Sequence, residues 1–229
     1  MRLGQVLGSV LLLLVVGAVR AGAQEDPSRV DLTKIVRNPL ANTAILQVQP
    51  TFNFDVGDNR DTEYVFNLQA NIPISLPGDW RIITRTIVPL INEPGEQGAG
   101  YTFGIGDIQP TLFLSPPSSE TFIWGIGPVL QFPSASATNL GSGKWEIGPA
   151  AAAIFNSGPW QVGAQAHNRW SFAGDRSRSS VNEFFIEPLV NYTLPENWYL
   201  TWSPQVTSDW TASAGDRWTV PVGAGFGKA

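Results

Sequence analysis

The chain has 229 residues, of which 14% are charged and 11% aromatic, and its formal net charge is −5. An acidic chain without a lysine cluster does not suit nucleic acid as a partner, and with no cysteine there is no disulfide framework to hold it. Its 23 glycines and 18 prolines argue against a helical protein, because helix interiors disfavour both residues.

Residues 1–23 have the three parts of a secretory signal peptide. Arg2 gives a basic start, Val10 to Val16 an apolar core, and Ala21-Gly22-Ala23 a small-x-small cleavage site. The apolar run is too short for a membrane helix, which needs about 20 residues. Cleavage near Ala23 removes Arg2 and Arg20 and leaves 12 basic against 19 acidic side chains, a net charge of −7. Residues 24–42 then form an N-terminal segment. Val30 to Val36 within it suit a short amphipathic turn that lies against a periplasmic mouth or plugs it.

From residue 43 to 229 the dominant signal is alternation with period two. Leu46, Val48, Phe52 and Phe54 point one way, and Gln47, Gln49, Thr51 and Asn53 the other. Tyr64, Phe66, Leu68, Ala70, Ile72 and Ile74 form the next apolar row, with Asn67, Gln69 and Asn71 between. Ten such segments follow in order: 44–54, 64–75, 80–90, 102–114, 121–132, 145–155, 160–172, 181–192, 198–208 and 217–227. Most exceed the roughly 5–6 residues of an ordinary strand and match the roughly 9–11 of a tilted membrane-crossing strand. Short turns at 77–79, 115–120, 156–159 and 195–197 alternate with longer polar stretches at 55–63, 91–101, 133–144, 173–180 and 209–216. Outer-membrane barrels sort their connections in this way, short ones in the periplasm and long ones outside. The pattern predicts an all-β, antiparallel up-and-down transmembrane β-barrel of ten strands.

Aromatic residues sit at both ends of these segments. Trp80, Trp160 and Trp198 follow short turns and Tyr192 precedes one; Trp145, Trp170 and Trp218 lie near the long loops. That is the placement of an interfacial girdle; packing in a soluble core is the plainer reading of any one of them. Pro50, Pro73, Pro89, Pro110, Pro128, Pro149, Pro188, Pro204 and Pro221 all fall inside the proposed strands. Proline cannot donate to a ladder, so bulges or weakened pairing are expected there.

With the apolar rows facing lipid, the alternate residues line the interior: Arg81, Arg85, Asp107, Gln109, Glu146, Gln165, His167, Arg169, Glu183 and Glu187. Loop positions predict that Arg85 lies opposite Asp107 and Arg169 opposite Glu183. Opposed charges either form a constriction that selects solutes or neutralise each other in a narrow interior. His167 is the only histidine, and parity turns it inward, away from lipid, so neither a zinc site nor a catalytic triad is expected. Gly141-Ser142-Gly143-Lys144 lacks the remaining residues of a phosphate loop. No cofactor, metal or catalytic residue is predicted.

Several stretches carry a family resemblance. DWRIITRTIVPLI (79–91), FGIGDI (103–108), WGIGPVLQFPSASATNLGSGKWEIGPA (124–150), GPWQVGAQAHNRWSFAGD (158–175) and WTVPVGAGFGK (218–228) resemble a family of Gram-negative outer-membrane proteins. These are labelled "transporter" or putative meta-pathway of phenol degradation proteins, and some carry the misnomer neuromedin U. The likeness spans nearly all of residues 38–228 and implies an outer-membrane barrel with a transport role. Similar proteins continue for another hairpin and end in an aromatic residue, whereas this sequence stops at Gly227-Lys228-Ala229; twelve strands are therefore expected of a complete form.

The reading is an outer-membrane barrel, embedded in lipid and lipopolysaccharide, that passes small solutes through a narrow, porin-like lumen. Aromatic or apolar solutes are implied only by the resemblance. The rival readings are a structural or surface-interaction barrel without transport, a soluble secreted β-sandwich, and a membrane enzyme.

Overall fold

The computed structural model describes residues 7–9, 32–35, 38–56, 60–95, 100–119 and 121–228. The signal-peptide assignment falls outside them except for three residues. No helix among the described residues is long and apolar enough to cross a membrane.

The strands are β1 (Leu7–Ser9), β2 (Ile45–Val56), β3 (Asp61–Ser75), β4 (Arg81–Pro94), β5 (Tyr101–Ile105), β6 (Gln109–Ser115) and β7 (Phe122–Gln131). There follow β8 (Lys144–Ser157), β9 (Trp160–Gly174), β10 (Asn182–Thr193), β11 (Trp198–Trp202), β12 (Val206–Asp209), β13 (Trp218–Thr219) and β14 (Gly225–Lys228). The α-helix is a single turn, α1 (Leu32–Ile35). All fourteen strands join one antiparallel sheet in the order β1-β2-β3-β4-β6-β7-β8-β9-β10-β11-β14. β5 pairs with the far half of β4, and β12 pairs with β10 and β13.

Each of the ten expected segments is present, and three are split in two. The fourth breaks at Gly106 to Ile108, the ninth at Ser203 to Gln205, and the tenth at Val220 to Ala224. Pro204 and Pro221 sit in the last two breaks, where a residue without an N–H ends the ladder. Residues 88–89 of β4, including Pro89, face the first break. The expected disruption is absent at Pro50, Pro73 and Pro188, which hold register opposite Phe66, Ile83 and Ala164. The two register shifts lie elsewhere, between Asn53 and Val56 and between Trp145 and Glu146. Strands also run further into the long loops than expected. β2 reaches Val56 and β4 reaches Pro94, because polar residues beyond the apolar stretch continue the ladder in the same alternation.

The sheet is built inside out relative to a soluble protein. Gln47, Gln69, Asn71, Arg85, Glu146, Gln165, His167 and Arg169 are buried, while Phe66, Ile72, Ile74, Trp145, Ile147, Phe155 and Trp170 are exposed. β8 alternates strictly over its first half: Lys144 and Glu146 are buried and Trp145 and Ile147 exposed. Burial of the polar face follows from curling. One cavity of about 210 Å³ touches Gln49 of β2, Arg85 of β4 and Phe185 of β10. In a flat sheet, seven strand steps of about 4.8 Å would put β2 and β10 roughly 34 Å apart. The sheet therefore wraps its polar face around an interior. Among the described residues no ladder joins β2 to β14, so the expected closed ring of strands is seen as an open, curled sheet. The split final segment leaves only the short ladders of β13 and β14 at that edge, and β1 occupies the other, pairing Leu7 with Asn53.

Candidate functional site

Arg169 organises the charged interior. It stands directly opposite Glu183 across β9 and β10, in the expected register, and donates to that carboxylate. Its guanidinium also reaches over to β8, where it lies 3.2 Å from Glu146, and donates to Gln131 of β7. Gln131 in turn donates to Glu146 at 3.2 Å and to Asp107 at 3.5 Å. Sequence reasoning passed over Gln131, although it occupies the same inward row of β7 as Val129. These contacts neutralise buried charge, which is costly to leave unpaired.

The second expected pair is corrected. Arg85 stands opposite Thr111, not Asp107. β4 continues to Pro94, where it pairs with Tyr101, so the hairpin turns later than its polar composition implies and the register moves. Asp107 falls in the break between β5 and β6 and binds the 132–143 loop instead. It accepts from the Ser142 backbone at 2.7 Å, the Ser142 hydroxyl at 2.9 Å and the Ala135 backbone at 3.2 Å. Ser134 and Ser136 add bonds from the same loop to Ile108 and Ile105. Asp107 thus ties a long loop down onto the broken strand.

The remaining inward candidates sit at different heights. Arg81 donates to Ser118 at the short-turn end. Gln165 donates to Glu187. His167 stacks on Phe185 with ring centroids 4.8 Å apart. Gln109, His167, Glu183 and Arg85 share the 210 Å³ cavity. A wider recess of about 450 Å³, lined by Ser142, Arg178, Val181, Glu183, Asp209 and Thr211, adjoins it at Glu183 on the long-loop side. At the rim of that recess Asp175 accepts from the Ser177 hydroxyl at 2.7 Å and backbone N–H at 2.8 Å. These bonds hold its carboxyl below the usual carboxylate range, with the charges of Lys144 and Arg178 adding to the effect.

Toward the short turns the interior becomes apolar. Leu40 packs with Ile83, Phe113, Val129, Ala150 and Ala152 in one buried cluster. The segment that carries Leu40 is fastened at the same end. Thr33 and Thr193 hydroxyls lie 2.8 Å apart, Lys34 donates to the Gly158 carbonyl at 2.9 Å, and Gln161 donates to the Lys34 carbonyl at 2.9 Å. The segment's C-terminal part is buried against the inner face of the sheet, with Asn38, Leu40 and Ala41 all enclosed.

On the outer face Trp80, Trp160, Trp198, Trp145, Trp170 and Trp218 are all exposed. Tyr192 packs edge-on against Trp160 at 4.6 Å. Near the long loops Trp210 donates to Asn168, and Asn168 to Asn182, which gives the outward polar residues partners of their own.

Residues 65–229 match the family model described as "Putative MetA-pathway of phenol degradation". No curated protein and no solved structure matches the chain. The matched span runs from within β3 to the end of the chain and takes in the charged interior from Arg81 to Glu187, and on that match the chain belongs to this phenol-degradation family.

Proposed function

We propose that the protein is an outer-membrane β-barrel that transports small solutes. The observation that carries this reading is the inverted sheet, with charged and amide side chains enclosed and a broad apolar face outward. An apolar outer face is stable in hydrocarbon, where a strand structure survives only if the sheet closes and pairs every backbone group. The exposed Trp residues at both strand ends then meet the two membrane interfaces. The chain enters the membrane after loss of its first 23 residues, with the short turns in the periplasm and lipopolysaccharide around the long loops. The interior supplies binding and passage, and no enzymatic step.

The filled short-turn end favours a second reading, a barrel that does not conduct until the Leu40 segment moves, or a scaffold that never does. Two measurements separate these readings. Heat-modifiable gel mobility and recovery in the outer-membrane fraction are expected of any such barrel. Conductance steps in planar bilayers are expected of a transporter. A water-soluble protein without detergent would overturn both readings, and a folded barrel without steps would leave only the scaffold.

A further inference from the structure

Arg85 is buried to 4% exposure in the wall of the 210 Å³ cavity. Among the described residues it has no hydrogen bond or ion pair, and its Nε is buried without an acceptor. Thr111, directly opposite, also has a buried hydroxyl without a partner. The acids around the interior are engaged elsewhere. Asp107 holds the 132–143 loop, Glu146 and Glu183 hold Arg169, and Glu187 accepts from Gln165. Glu187 acts on Arg85 only through space. A desolvated guanidinium without a hydrogen-bonded anion is costly.

The natural complement of a guanidinium is a planar carboxylate, taken by two parallel hydrogen bonds. The rest of the cavity wall limits what that carboxylate is attached to. Phe185, stacked on His167, offers a flat face, and Ile87 and Pro89 offer aliphatic surface. A cavity of about 150 Å³ is known to admit benzene, so this one admits a single ring with a charged head. We propose that the cavity binds a small aromatic carboxylate, its head on Arg85 and its ring beside Phe185 and His167. This deepens the transport reading by naming the class of solute.

The test is calorimetric titration of the full chain in detergent micelles with sodium benzoate, benzyl alcohol, acetate and chloride. Benzoate is expected to bind best, with benzyl alcohol and acetate each weaker. Arg85→Met is expected to weaken benzoate by about tenfold or more, the worth of a charged hydrogen-bonded contact, and Arg85→Lys by less. Phe185→Ala is expected to weaken benzoate and leave acetate unchanged. The proposal is overturned if the folded wild type does not take up benzoate. It is also overturned if Phe185→Ala leaves benzoate binding unchanged, or if chloride and acetate bind as well as benzoate, marking a site for any inorganic anion. Heat-modifiable mobility, run alongside, reports whether the barrel itself is present, so loss of binding in a folded barrel leaves the transport reading standing.

Discussion

Pro128 stands directly opposite Pro149 in the β7–β8 ladder. Neither can donate an N–H, and a glycine precedes each. Gly127 lies so close to β6 that an added Cβ would be 1.8 Å from the Leu112 carbonyl oxygen. Gly148 lies equally close to β9, with a Cβ placed 1.6 Å from the Asn168 oxygen. The flanking strands thus press against backbone where the two prolines interrupt pairing.

Gly127→Ala and Gly148→Ala are therefore expected to destabilise the sheet by at least the roughly 1–3 kcal/mol of an overpacked core. The clashing partner is a main-chain oxygen, so it cannot turn aside. Gly223→Ala, which meets nothing within 4 Å, is the control. Urea titration in micelles, read by Trp fluorescence, measures all three. Equal midpoints would refute the close approach.

Arg169→Met is expected to cost about 3–5 kcal/mol, because it leaves buried Glu146 without its cation. Replacing Glu146 by Met in the same chain removes the stranded charge, so the double variant should recover much of the loss. The same titrations form the double-mutant cycle. Additive losses would mean that the two residues are not coupled.

Leu40→Ala removes a buried side chain from the short-turn end and is expected to cost about 2–5 kcal/mol if the site does not collapse. Leu40→Asp adds a charge to the same cluster and should expel the segment. In planar bilayers the aspartate variant is expected to give more frequent or larger steps than the wild type. Indistinguishable traces would show that residues 38–41 do not block the interior.

Trp160 and Trp145 mark opposite ends of the outer face. Brominated lipids with the label at graded depths should quench single-Trp proteins that retain either residue most strongly near the headgroups. Deepest quenching at the bilayer centre would contradict the girdle.

Asp175 should titrate below the ordinary aspartate value of about 3.9 in the folded protein. Its folded pKa is depressed, so its contribution to the rim turn is present above the unfolded value and lost as pH falls through the folded one. Carboxyl NMR of the folded protein locates the midpoint. Ser177→Ala should move it upward, since the Ser177 hydroxyl is the largest cause.

The sequence made the rows legible because period two is a local property. Phe66 against Gln69, and Trp145 against Glu146, sort by parity alone. Arg169 opposite Glu183 was readable because their hairpin is regular through Asn182 and Trp170. Arg85 opposite Thr111 was not, because its register depends on where β4 stops and on a break at Gly106 that composition does not mark. Leu40 was harder still. It belongs to no alternating segment, and only the curl of the sheet brings Ile83 and Phe113 around it. Proline does not break these strands uniformly. Pro50 keeps its place in the sheet while Pro204 does not, a difference set by neighbouring strands and not by proline itself.

The cluster around Leu40 fills the short-turn end of the enclosed face with apolar side chains. On the transport reading, a solute that comes in past Glu183 meets apolar side chains on the far side of Arg85. Its net movement would then depend on a pull or push applied to residues 38–41 from beneath, and flux would await whatever draws that stopper.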